Sequence, residues 1–140
     1  MSAVRQRARI ARVRRLQHGL ASLAASNASG HVKLLEANEI RLKQMREGLA
    51  SDVGSTSGAA LASKGELAMR LEAAKEGLGN SIAGARAVLS LREEARLFAR
   101  REQDCAEKLE TRAASDAARA EDKRAGANVR RRRVNPLGGE

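Results

Sequence analysis

The stretch SDVGSTSGAALASKGE, Ser51 to Glu66, decides the fold. Serine, glycine and aspartate crowd its first half, which is the composition of a turn. On either side lie long charged sequences with apolar residues at helical intervals. At its end, SKGE (Ser63 to Glu66) fits a capping box, in which the Ser63 hydroxyl accepts from the Glu66 amide and the Glu66 carboxylate reaches back to the Ser63 amide. The stretch therefore predicts a turn over about 51–62, a helix before it over about 4–50, and a second helix from about 63.

Working upstream, Val13, Leu16, Leu20 and Leu23 have the 3-4-3 spacing of a heptad seam. The pattern fades through SNASGH (Ser26 to His31) and resumes at Leu35, Leu42 and Leu49. Downstream run Leu67, Leu71, Ala74, Leu78, Ile82, Ala85 and Leu89, then Leu91, Ala95, Phe98, Cys105 and Leu109. The second helix continues to about residue 133, where Asn135 and Pro136 stop it and leave a tail over 134–140. One turn between two long helices predicts a single all-α domain, a long antiparallel two-helix coiled-coil hairpin whose second helix exceeds the first. A tip near Ser57 sets SNASGH opposite GNSIAG (Gly79 to Gly84), two small-residue stretches. A break near Gly77 to Gly84, giving three helices, is the competing reading.

Composition agrees. Phe98 is the only aromatic and Pro136 the only proline, and aromatics supply much of the burial in dense globular cores. An elongated helical chain remains. The lone Cys105 excludes an internal disulfide, suits a reducing compartment and reads as a small apolar seam residue. No apolar run approaches the roughly 18 residues of a membrane span. The acid-free, Arg-rich start also has the composition of a mitochondrial transit peptide, a minor alternative.

The net charge of +10 is unevenly placed. Residues 1–35 carry seven basic groups and no acid, residues 36–122 carry 14 basic and 16 acidic groups, and residues 123–140 carry six basic groups and one acid. An antiparallel hairpin brings both basic runs to one end, with Arg5 to Arg15 beside roughly 99–109, where Glu102, Asp104 and Glu107 partly offset them. The second helix then overhangs from about Glu110. Such an end suits a phosphate, an acidic protein surface or an anionic membrane. The candidate contact residues are Arg5, Arg7, Arg9, Arg12, Arg130, Arg131, Arg132 and Arg133.

The chemistry of an enzyme is not legible. His18 and His31 stand 13 apart without clustered ligands, so no metal or cofactor is expected. No phosphate-binding glycine loop and no HExxH motif occurs. Nonspecific phosphate binding to nucleic acid is the alternative function. No aromatic near either basic run is available to stack on bases.

LFARREQDCAEKLETRAASDAARAEDKR (Leu97 to Arg124) and RIARVRRL (Arg9 to Leu16) are similar to the second helix and first turns of the FliJ-type proteins of the flagellar type III export apparatus. The layout as a whole resembles that family. The RRRRVNPLGGE ending and the leucine-poor SNASGH and GNSIAG stretches depart from it. The resemblance implies a cytoplasmic, non-enzymatic stalk between the export ATPase ring and the export gate, touching the inner membrane peripherally through the gate and handling export chaperones. The arginines named above would then meet acidic surfaces of those partners.

Overall fold

The computed structural model describes residues 2–50, 54 and 57–134. They form two helices packed against each other, α1 (Ser2–Ala50) and α2 (Gly58–Val134), with no strand among the described residues. The expected all-α fold with a longer second helix is present. α2 runs unbroken through Gly77, Gly79 and Gly84, so the three-helix alternative is not realised. A helical glycine costs about 1 kcal/mol relative to alanine. The alanine-, leucine-, glutamate- and arginine-rich sequence on both sides carries the helix across these positions.

α2 starts earlier than the sequence suggested. Ser57, not Ser63, is its cap: the Ala60 amide donates to Ser57 Oγ at 3.2 Å, and the Leu61 amide donates to the Ser57 carbonyl at 3.1 Å. Ser63 and Glu66 already lie inside the helix, and Glu66 takes a 2.8 Å hydrogen bond from Arg70 instead. The physical reason is in the first turns. Gly58-Ala59-Ala60-Leu61-Ala62 is dominated by alanine and leucine, the strongest helix formers, so an oxygen-bearing cap just before it suffices. Most of the remaining turn and the tail after Val134 lie outside the described residues.

The chain divides into two compact units, one joining residues 1–20 to the chain from 97 onward, the other comprising residues 21–96. In the unit of residues 21–96 the helices pack antiparallel over Ala25, Val32, Ile82 and Ala85, all buried. Leu35, Leu42, Leu49, Leu71, Leu78 and Leu89 are half-buried around them. This is the expected seam, save that Leu67, Ala74, Leu91 and Ala95 are exposed. Near the turn Arg46 pairs with Glu72 and donates to the Ala68 carbonyl at 3.4 Å. Farther along, Arg86 donates to Glu36 at 2.9 Å.

The unit of both chain ends departs more sharply from expectation. Its buried residues are Ala11, fully enclosed, and Ala106 at 6% exposure. Val4, Ala8, His18, Ala99, Gln103, Leu109, Ala113 and Ala117 are half-buried beside them. Of the expected seam residues Leu109 stays at the interface, but the others turn outward: Val13 is 50% exposed, Leu16 65%, Leu20 68% and Phe98 60%. Cys105 is exposed too, and its neighbour Ala106 takes the seam position. Leu23, in the other unit, is likewise exposed. The seam here is alanine, not leucine.

Candidate protein-interaction surface

An alanine seam contributes little hydrophobic energy, since each buried methyl is worth on the order of 0.8 kcal/mol. It does let two helices approach closely, and charged side chains at its margins then meet. Arg14 reaches Glu102 at 3.1 Å. Arg15 donates from Nε to Glu107 at 2.8 Å and from an Nη to Glu110 at 3.1 Å, bridging one turn of α2. Gln103 donates to the same Glu107 oxygen at 2.9 Å. The Gln103 amide first, and the Arg15 guanidinium second, hold the Glu107 carboxyl below the usual carboxylate range. The Glu107 hydrogen bond raises the affinity of Arg15 for its proton in turn. Glu102 and Glu107 thus offset the basic start as the sequence suggested. Asp104 does not: it pairs with Arg100 at 3.3 Å on its own helix.

These contacts consume Arg14 and Arg15 and leave the other four arginines of the α1 start. Arg5, Arg7, Arg9 and Arg12 are exposed and form no ion pair with a described carboxylate. Arg130 to Arg133 are exposed on the part of α2 that runs on past the α1 start. Arg131, Arg132 and Arg133 occupy the last turn of α2, where positive charge complements the helix dipole. The last half-buried residue of α2 is Ala117, so the exposed run begins at Ala118 rather than near Glu110. At 1.5 Å per residue, Arg130 lies roughly 20 Å beyond the part of α2 that packs against α1. The two arginine groups share a unit but are not one patch.

The arrangement of α1 itself has two faces. Helical residues advance by about 100° each. Val4, Ala8, Ala11 and His18 share one side, which is the side packed on α2. Val13, Leu16 and Leu20 centre on a direction about 160° away. Arg5, Arg9 and Arg12 lie on the leucine side. Sequence reasoning singled out the arginines but assigned the leucines to the wrong partner. The available signal was that two heptad-compatible stripes coexist in α1, one of alanine and one of leucine.

Among the described residues no group of three or more His, Cys, Asp or Glu side chains converges. The groove beside Leu42 and Leu78 in the other unit is about 410 Å³, open, and lined by apolar side chains with Asn38, Arg41 and Ser81. No described helix is long and apolar enough to cross a membrane. No protein-family model, curated protein or solved structure matches this chain.

Proposed function

We propose that this chain is a non-enzymatic coiled-coil protein that works by binding acidic surfaces of partner proteins through the arginines at the start of α1. The observation that carries the reading is the contrast within one helical stretch. Arg14 and Arg15 are satisfied by Glu102, Glu107 and Glu110, while Arg5, Arg7, Arg9 and Arg12 stand exposed and pair with no described carboxylate. Guanidinium groups held on a rigid helix lose little freedom when they pair with carboxylates, and such charge-assisted pairs steer association.

The particular role we propose is that of a cytoplasmic stalk in a flagellar type III export apparatus, set between the export ATPase ring and the membrane-embedded gate and escorting export chaperones. That role is supported by the likeness of Leu97 to Arg124 and Arg9 to Leu16 to the FliJ-type family, and by a hairpin layout with a longer second helix. A second reading, nonspecific binding of nucleic acid phosphates, is favoured by one feature: four consecutive exposed arginines, Arg130 to Arg133, on the last turns of α2.

Affinity capture from native cytosol with the intact chain separates the two. The first reading expects recovery of an ATPase or export-gate protein that is lost when Arg5, Arg7, Arg9 and Arg12 are changed to serine. Recovery of nucleic acid alone, abolished by nuclease and by serine at 130–133, overturns it in favour of the second.

A further inference from the structure

The same unit carries a feature that arginine-carboxylate pairing leaves unexplained. Val13, Leu16 and Leu20 are large aliphatic side chains of the α1 start that point away from α2, at 50%, 65% and 68% exposure, and Ile10 is exposed as well. Meanwhile the packed face of the same helix is built from Val4, Ala8, Ala11 and His18. A helix with one heptad stripe per side has the pattern of a helix sandwiched between two neighbours. α2 supplies only one of them.

We infer that the outward stripe of α1 docks a third helix, an acidic amphipathic helix of a partner protein, with leucine-type residues against Val13, Leu16 and Leu20 and carboxylates against Arg5, Arg9 and Arg12. The inference extends the protein-binding reading above and does not depend on the export role.

Charge complementarity selects this occupant. Arg5, Arg9 and Arg12 lie on the leucine side of α1, and the first carboxylate of the chain is Glu36. A second copy of the chain fits poorly. Laid parallel, it opposes the same three arginines to each other; laid antiparallel, it sets them against residues of about 20–33, a stretch without an acid. Like charges across a helix pair are destabilising, and charges at the flanks of the seam choose the partner. A bilayer surface fits poorly as well. At about 100° per residue Arg9 falls in line with Val13, Leu16 and Leu20, and exposed Ile10 stands roughly 90° to one side, so charge interrupts the continuous apolar face that a surface-seated helix presents. α1 also has no aromatic residue to sit at an interface. A narrow seam is complementary to another helix.

The test uses the full chain and two synthetic helices of about four heptads, both with leucine at the seam positions, one flanked by glutamate and the other by lysine. Binding is read by fluorescence anisotropy of the labelled peptide at two salt concentrations. The expected result is saturable, salt-sensitive binding of the glutamate peptide and none of the lysine peptide. Binding should weaken at least tenfold in Leu16→Asn/Leu20→Asn, and separately in Arg5→Glu/Arg9→Glu/Arg12→Glu. Both sets of side chains are exposed, so unchanged helical circular dichroism certifies that each variant is folded. Equal binding of the two peptides, or binding unmoved by the leucine changes, overturns the inference. So does a chain dimer in sedimentation that disappears in the leucine variant, which would make the occupant a second copy. Phosphatidylglycerol vesicles that bind the chain through Leu16 and Leu20 while the glutamate peptide does not would make it a lipid surface.

Discussion

Replacing Leu16 and Leu20 together by alanine distinguishes the observed packing from the heptad reading of the same sequence. If these leucines filled the interhelical seam, each truncation would cost about 2–5 kcal/mol through lost transfer energy and a residual cavity. In the structure they are 65% and 68% exposed, so only about a third of each side chain is withdrawn from water. Full burial of a leucine is worth about 1.5–3 kcal/mol, which scales to roughly 0.5–1 kcal/mol per site. Alanine is also the better helix former, which offsets part of that loss. The double variant is therefore expected to lose no more than about 2 kcal/mol. Ile82→Ala is the internal control: Ile82 is 3% exposed and its truncation should cost about 2–5 kcal/mol. The assay is urea unfolding followed by circular dichroism at dilute concentration, with midpoints compared at a common slope. A double-variant loss of about 4 kcal/mol or more, the sum of two seam truncations, would show that Leu16 and Leu20 are packed against α2 and refute the alanine seam.

Two smaller perturbations probe other parts of the description. Ser57→Ala removes the oxygen that accepts from the Ala60 amide and should cost about 1 kcal/mol in the same urea assay, while Ser63→Ala should be neutral within about 0.5 kcal/mol; the reverse order would restore the capping box. Glu107 should titrate by carbon-detected NMR below the ordinary glutamate range, and Gln103→Ala or Arg15→Gln should move it back up. Because the folded-state value is depressed, the stabilisation it reports is present above the unfolded value and is lost as pH falls through the folded one. A midpoint that neither variant moves would mean the Arg15–Glu107–Gln103 cluster does not persist in solution.

The helical class, the two-helix layout and the longer second helix were legible in the residues themselves. One aromatic, one proline near the end, and a glycine- and serine-rich stretch between two alanine-, leucine- and arginine-rich runs leave few other folds. The seam over Leu35, Leu42 and Leu49, with Leu71, Leu78, Ile82 and Leu89, was legible too, because there heptad-spaced large apolar residues are the ones that pack, with Leu67 and Leu91 as exceptions. Legibility failed where two stripes compete, and with it went the leucine face now proposed as a docking site. The arginines were visible as a charge run, but which of them are already paired was not. Arg14 and Arg15 look no different in sequence from Arg9 and Arg12.

Periodicity states that a helix has a side; it does not state which side meets the neighbour. In the first turns of α1 the sequence by itself determined a helix bearing alanine along one side, leucine along the other and arginine throughout. The tertiary structure alone chose the alanine side. The choice has a physical basis in unit geometry: small residues at Ala8, Ala11 and Ala106 permit a close approach, and only on that side do Arg14 and Arg15 reach Glu102, Glu107 and Glu110. That leaves Val13, Leu16 and Leu20 facing outward beside Arg5, Arg9 and Arg12.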